Sequence, residues 1–174
     1  MLSEAVSQVQ AIAQVYGLQV GASGPLRAAR VIEAIARSVQ RTFGRNIVFD
    51  AVEAADAFVL PEAEAIPIAL TVNELLTNAV KHSAAGDVYC NIGADAEALA
   101  VEIRNLGTLR QGFDLAAVRG GVSGLGLVRA LLPRRSSALA IDQQGAEVRA
   151  RVELRPPSVR LDRVAEEQAA VAPE

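Results

Sequence analysis

The stretch Asn73-Glu74-Leu75-Leu76-Thr77-Asn78-Ala79-Val80-Lys81-His82 is the most informative part of this 174-residue chain. It lies in a helix that we predict over residues 64–82. Glu74, Asn78 and Lys81 stand at positions i, i+4 and i+7 and therefore share one helical face, which His82 borders. The apolar residues of the stretch are expected to pack behind this face, against a sheet: Leu75, Leu76, Ala79 and Val80.

The polar side chains on this face can together organise a metal-bound phosphate. Mg²⁺ prefers hard oxygen ligands, and the carbonyl oxygen of Asn78 is one. The carboxylate of Glu74 can orient or deprotonate a water or a hydroxyl, and Lys81 can neutralise a phosphate oxygen. An ordinary amphipathic helix with a solvated polar face has the same spacing, and spacing alone favours that interpretation, because mixed charges at i, i+4 are common.

Two glycine-containing segments follow this helix along the chain. Asn105-Leu106-Gly107 ends a predicted strand, and Gly124-Leu125-Gly126 begins a predicted short helix. Glycines allow a close backbone approach, and the N–H groups at the start of a helix attract an anion such as phosphate. By itself a Gly-x-Gly sequence before a helix is more often a plain turn. Here it follows the polar helix along the chain, in the order expected if both segments contribute to one site.

The segment Asn73–His82 resembles the N box of bacterial sensor histidine kinases, which share an ATPase superfamily with gyrase and the mismatch-repair ATPases. The two glycine segments resemble that family's glycine boxes, and the likeness covers about residues 26–155. It implies ATP and Mg²⁺ as ligands. Asn78 would bind Mg²⁺, Glu74 would be the catalytic carboxylate near the γ-phosphate, and Lys81 and His82 would lie by the phosphates.

The other nucleotide contacts that the resemblance implies fall on the glycine boxes, at Asn105, Gly107, Gly124, Leu125 and Gly126. Asn105 stands where the family has an Asp that accepts a hydrogen bond from the adenine amino group. An amide still offers a carbonyl acceptor, so the sequence predicts weakened adenine recognition. The second glycine of this first box is absent, because the residues after Gly107 are Thr-Leu-Arg.

Hydrophobic periodicity and Gly/Pro punctuation predict four helices, over residues 2–16, 25–43, 64–82 and 124–132. Strands are predicted over residues 47–52, 58–60, 87–93, 98–104, 137–143 and 146–154. We expect Gly17 to end the first helix, and Pro67 to lie in the first turn of the third. The order of elements predicts an α+β fold, a two-layer α/β sandwich with helices on one face of a mixed, mainly antiparallel sheet. In the resembled family this is the Bergerat-type ATPase fold.

The predicted ATP-binding domain spans residues 25–155, between residues 1–24 and a flexible tail at 156–174. The first helix resembles the far end of a kinase dimerisation hairpin, which predicts the remnant of a truncated hairpin followed by a linker. This helix can pair with a second chain in a homodimer or pack on its own domain. His82 is the one histidine of the chain, so the histidine that a sensor kinase phosphorylates is not in it.

Composition excludes several classes of function. A net charge of −3 gives no electrostatic basis for nucleic-acid binding. A single cysteine, Cys90, excludes an internal disulfide and a cysteine-rich metal site. No apolar run reaches the roughly 20 residues that span a bilayer, so we expect no membrane segment and a cytoplasmic location.

The resemblance implies the ATP-binding domain of a two-component sensor histidine kinase. It would donate the γ-phosphate of Mg-ATP to a His outside this chain, and its partner would be a phosphoacceptor domain or a response regulator. The altered first glycine box favours an alternative, a degenerate non-catalytic module that mediates protein–protein contacts in signalling. A serine kinase, as in anti-sigma factors of this fold, fits the missing His but not the hairpin-like N-terminus.

Overall fold

The computed structural model describes residues 2–162 and has the predicted α+β sandwich. Its helices are α1 (Leu2–Gly21), α2 (Ala28–Phe43), α3 (Glu62–His82) and α4 (Gly124–Leu131). Its strands are β1 (Ile47–Ala51), β2 (Phe58–Val59), β3 (Val88–Ala94), β4 (Leu99–Leu106), β5 (Ser137–Gln144), β6 (Glu147–Leu154) and β7 (Arg160–Leu161).

Five of the strands form one mixed sheet in the order β1-β3-β4-β6-β5. Strand β1 runs parallel to β3, whereas β3–β4, β4–β6 and β5–β6 are antiparallel pairs. The turn between β5 and β6 places Gly145 at φ 59°, a left-handed conformation that glycine adopts without a Cβ penalty. The mixed, mainly antiparallel sheet predicted from the sequence is thereby confirmed.

Helix α3 is the central helix of the helical layer. It contacts α1, α2 and α4 on its sides and strands β3 and β4 of the sheet. Leu76 and Ala69 are fully buried in the core, and the facing sheet residues Val88, Cys90 and Ile103 are at most 1% exposed. The apolar side of the N-box-like segment therefore packs against the sheet, as predicted.

The opposite face of the sheet carries charged side chains. Arg104 pairs with Glu102 and Glu147, and Arg149 pairs with Glu102 and Asp142. In an antiparallel sheet, alternate residues point to opposite faces, so one face can be apolar and the other ionic. Because only one face of the sheet is apolar, the helices pack on that face.

Three predicted features of the helix ends are wrong. Helix α1 continues past Gly17 to Gly21, and Leu18 packs against the core beyond that glycine. Helix α2 begins at Ala28 rather than Pro25, because Leu26 and Arg27 are held extended: the Leu60 N–H bonds to the Leu26 carbonyl, and Arg27 forms a β-bridge with Val59.

The third concerns Pro67, which lies inside α3 rather than in its first turn. The helix begins two residues before the predicted start, directly after Pro61. Pro67 therefore deprives the Ala63 carbonyl of an intrahelical donor, a cost that a proline in the first turn would not carry.

Residues 156–162 differ from the flexible tail predicted for 156–174. Ser158 and Val159 are at most 1% exposed, and the hydroxyls of Ser136 and Ser158 are 2.7 Å apart. Strand β7 pairs antiparallel with β2, and the Asp162 N–H bonds to the Ala57 carbonyl. The ordered unit therefore extends beyond the predicted boundary at residue 155, and residues 163–174 lie outside the described residues.

Two further observations concern the helices and the single cysteine. Across residues 2–162, none of the helices combines the length and the apolar character needed to cross a bilayer. Cys90 is buried in β3, and desolvation by burial raises the pKa of its thiol to about 12. A thiol with so high a pKa is not a reactive nucleophile at neutral pH.

Candidate functional site

A cavity of about 440 Å³ lies between α3 and the sheet. Asn78 and His82 line it from α3, one helical turn apart, and Asn105 lines it from the end of β4. Leu125 closes it from the first turn of α4. Residues from all three of the sequence segments singled out above therefore meet at one cavity of a size typical for small-molecule sites.

The rest of the cavity wall is largely apolar. Side chains from α3 and from strands β4, β5 and β6 form its floor: Leu75, Ala79, Ile103, Ile141, Val148 and Ala150. The loop after β4 adds Thr108, Leu109, Arg110 and Phe113. Arg110 is the one Lys or Arg among these lining residues, so the largely apolar wall carries one positive charge.

Asn105 is the buried polar group of this cavity, with 4% of its surface exposed. Its amide nitrogen Nδ2 donates to the Leu106 carbonyl at 3.2 Å. Among residues 2–162, none donates a hydrogen bond to its Oδ1. The side chain thus offers a carbonyl acceptor at the cavity wall.

Gly107 lies where β4 leads into the loop that flanks the cavity. A Cβ at this position would be 2.9 Å from the His82 carbonyl oxygen, closer than side chains tolerate. The Gly107 N–H bonds to the Ala146 carbonyl, and its own carbonyl accepts from Gln143 Nε2, both at 2.9 Å. Glycine is therefore required here because β4 passes directly against the end of α3.

Glu74 and Lys81 are not among the residues that line the cavity. Glu74 is 3% exposed and lies under α1, where its Oε1 accepts from Gln8 Nε2 at 2.8 Å. Lys81 Nζ pairs with Glu4 Oε1 at 2.6 Å and lies 5.9 Å from the centre of the Phe43 ring. The polar face of α3 is thus divided between the cavity and α1.

Gly124 and Gly126 lie at the start of α4, beside Leu125. Gly124 has φ 59°, and its N–H donates to Glu74 Oε2 at 2.7 Å. A Cβ on Gly126 would be 2.8 Å from the Arg119 carbonyl oxygen and 3.0 Å from the Gly121 nitrogen. Both glycines are therefore explained by backbone geometry, and the anion at the start of this helix is the chain's own carboxylate.

Sequence reasoning missed the contribution of α1 to this region. Ser7 Oγ donates to Asn73 Oδ1 at 2.9 Å in a buried contact, and Gln8 also reaches the Val122 carbonyl at 3.2 Å. The available signal was a pair of polar residues, Ser7 and Gln8, next to the otherwise apolar positions Ala11 and Val15 on the same face.

The described part of the chain has no group of three or more acidic, His or Cys side chains that could together hold a metal ion. Asn78 is the predicted metal ligand, and its side chain lies at the cavity wall beside His82. Mg²⁺ commonly takes one or two protein oxygens and completes its shell with phosphate and water. The residues present are compatible with that form of binding.

Known structures share this fold, although no protein-family model and no curated protein matches the sequence. The histidine kinase domain of the blue-light activated histidine kinase EL346 from Erythrobacter litoralis has a TM-score of 0.69 at 21% identity, over 86% of this chain and 73% of that chain. The histidine kinase AdeS from Acinetobacter baumannii has a TM-score of 0.55 at 16% identity, over 87% of this chain and 77% of that chain.

The nucleotide-free catalytic domain of the histidine kinase ThkA has a TM-score of 0.57 at 13% identity, over 73% of this chain and 88% of that chain. Against the longer EL346 chain, the match spans 49% of the kinase. At these identities the likeness establishes the fold, which is that of histidine kinase catalytic domains.

Proposed function

We propose that this chain is the ATP-binding domain of a two-component sensor histidine kinase. It binds Mg-ATP in the cavity between α3 and the sheet and donates the γ-phosphate to a His on a phosphoacceptor domain outside this chain. The observation that carries the proposal is the meeting of Asn78, His82, Asn105 and Leu125 at one cavity of about 440 Å³ in a histidine kinase fold.

The roles follow from the chemistry of each side chain. The apolar floor accommodates the adenine ring, and the Asn105 carbonyl accepts a hydrogen bond from the adenine amino group. The Asn78 carbonyl is a ligand of Mg²⁺, with His82 beside it near the phosphates. Gly107 lets the chain after β4 pass against the end of α3 beside the nucleotide, and Leu125, between Gly124 and Gly126, closes the site from α4. Phosphoryl transfer then depends on positioning and charge neutralisation.

Glu74 and Lys81 have conditional roles in this proposal, because both are engaged by α1. Glu74 acts as the catalytic carboxylate, and Lys81 contacts the phosphates, when those contacts open. The same engagement favours a second candidate function, a non-catalytic module that uses the fold for protein–protein contacts. In that case α1 would hold both side chains permanently.

Calorimetric titration of ATP with and without Mg²⁺ tests the proposal. We expect the wild-type protein to bind ATP more tightly with Mg²⁺, and Asn78→Ala to lose this difference because it loses a metal ligand. Asn91→Ala, on the outer side of β3, is the matched control and should behave as wild type. Absence of ATP binding by the wild type would favour the non-catalytic module, and an unchanged Mg²⁺ effect in Asn78→Ala would refute the role of that residue.

We further propose that a second copy of the chain covers the outward side of α1. Six exposed residues recur on that side with alternating spacings of four and three: Leu2, Val6, Val9, Ala13, Tyr16 and Val20. This is the heptad pattern of a helix pair, with Val at two of the three a positions. Glu4 is the one charged residue of α1 and pairs within its own chain, so no like charges oppose self-association.

A further inference from the structure

Both carboxylate oxygens of Glu74 are occupied within the chain. Oε1 accepts from Gln8 on α1 at 2.8 Å, and Oε2 accepts from the Gly124 N–H at 2.7 Å. Glu74 is 3% exposed, so a hydroxyl or a phosphate oxygen cannot approach it without displacing one of these partners. The carboxylate is therefore unable to act on a ligand in this arrangement.

The position of the carboxylate is also significant, because it lies at the start of α4. Backbone N–H groups at a helix N-terminus attract an anion, and here Ser123 at the N-cap position makes no capping bond with its side chain. The carboxylate of Glu74 fills that place. An incoming phosphate group would have to compete with an anion that is already bound.

Helix α1 holds this arrangement from the other side. Gln8 Nε2 donates both to Glu74 and to the Val122 carbonyl, and so joins α3 to the residues just before α4. Two further contacts fix α1 on α3, the buried bond from Ser7 to Asn73 and the ion pair of Glu4 with Lys81. Gln8, Ser7 and Glu4 each contact a residue of the segment Asn73–His82.

We propose that α1 is an autoinhibitory element of the nucleotide site. When α1 is docked, Gln8 holds Glu74 against the start of α4, and the carboxylate occupies the place of a phosphate. When α1 moves away, Glu74 and Lys81 become available to the nucleotide. The inference rests on the proposed function for the identity of the ligand, but the contacts of α1 with α3 and with the α4 start do not depend on it.

Docking of α1 and binding of Mg-ATP are consequently opposed. Reciprocity requires that α1 docking weakens nucleotide binding by the same factor as nucleotide binding weakens α1 docking, so a variant that weakens docking should bind the nucleotide more tightly. The outward side of α1 lies away from Gln8, so a partner helix that contacts Val9 or Tyr16 can shift this balance without touching the nucleotide. Regulation would then pass through a single helix.

The experiment compares Gln8→Ala with Gln14→Ala in the full chain. Both residues are half-buried glutamines of α1, and within residues 2–162 Gln14 makes no side-chain hydrogen bond. Alanine is favourable in a helix, so both variants should fold. Hydrogen exchange of residues 118–126 is measured without nucleotide, and Mg-ATP affinity is measured by calorimetry.

We expect Gln8→Ala to exchange faster than wild type over residues 118–126 and to bind Mg-ATP at least about fivefold more tightly. Gln14→Ala should match wild type in both measurements. If Gln8→Ala matches Gln14→Ala, or binds Mg-ATP more weakly than it, the autoinhibitory role of α1 is wrong. If no variant binds ATP, the proposed function itself fails and the competition fails with it, a result distinct from binding that is merely unchanged.

Discussion

In the proposed function, Asn105 is the residue that recognises the nucleobase. Its Nδ2 is used in a bond to the Leu106 carbonyl, which leaves Oδ1 as the acceptor at the cavity wall. A neutral amide carbonyl is a weaker acceptor than a carboxylate. If the cavity binds adenine as proposed, Asn105 gives a lower affinity for it than Asp would in the same geometry.

Asn105→Asp is expected to tighten ATP binding by on the order of 1 kcal/mol, because the carboxylate accepts more strongly from the adenine amino group. The same change should lower the free energy of unfolding of the nucleotide-free protein by a similar amount, since a buried carboxylate would face the Leu106 carbonyl without a donor. Calorimetry and urea unfolding measure the two effects separately. Unchanged or weaker ATP binding would mean that the pocket is built around the amide.

The angular positions of residues on α3 explain which site residues the sequence could predict. At about 100° per residue, Asn78 and His82 lie roughly 40° and 80° from Glu74 on one side, whereas Lys81 lies roughly 20° on the other. The cavity receives the first two, and α1 receives Glu74 and Lys81. The spacing of these residues predicted that they share one face of α3. It could not show that this face is divided between the cavity and α1.

At the scale of the element, the docking of α1 onto the rest of the domain relies on a small set of polar contacts. Its buried positions Ser7, Ala11 and Val15 are small or of moderate size, so they contribute a limited apolar area. The ion pair of Glu4 with Lys81 therefore matters more for docking than a surface pair on a large interface would. The hydrogen bond from Lys81, followed by its charge, lowers the pKa of Glu4 below the ordinary value of 4.5.

This shift predicts how docking responds to pH. A carboxyl whose pKa is lowered in the folded state stabilises that state above its ordinary pKa, and the contribution is lost as pH falls through the lowered value. We expect wild type to be more stable than Glu4→Gln near pH 7, and the difference to shrink as the pH falls below the ordinary value of 4.5 and to vanish below the lowered pKa of Glu4. Urea unfolding of both proteins across this range is the measurement, and a difference that does not change with pH would exclude the ion pair as its source.

Helices and strands with a clear hydrophobic periodicity were predicted in the right parts of the chain. The residues at which they begin and end were predicted less well. The hairpin strands β3–β4 and β5–β6 follow from alternating residues on either side of turns, such as the one at Gly145. The ends of α1 and α2 depend on tertiary contacts, as at Leu18 and at the β-bridge of Arg27. Such contacts override the local signals of Gly17 and Pro25, which sequence alone presents as boundaries.

At the scale of the whole molecule, the order of helices and strands was enough to predict the layers, because helices must bury one side against a sheet. The pairing of β7 with β2 could not be predicted in the same way. Each is a strand of two residues, too short to show an alternating pattern. Their pairing depends on the buried Ser158 and Val159, which hold the chain after β6 against the domain.

The self-association of α1 gives the last prediction. Val9 is 65% exposed and occupies a central heptad position, so a carboxylate there would face its own copy across a two-fold axis. We expect the wild-type protein to show a concentration-dependent dimer in sedimentation, and Val9→Glu to be a monomer at the same concentrations. Val48→Glu is the matched control, because Val48 is an exposed valine (38%) on the outer side of β1. A wild-type protein that stays monomeric, or a dimer that survives in Val9→Glu, would show that a second copy does not cover α1. A dimer that Val48→Glu also disrupts would mean that the added charge acts generally, and not through the heptad residues of α1.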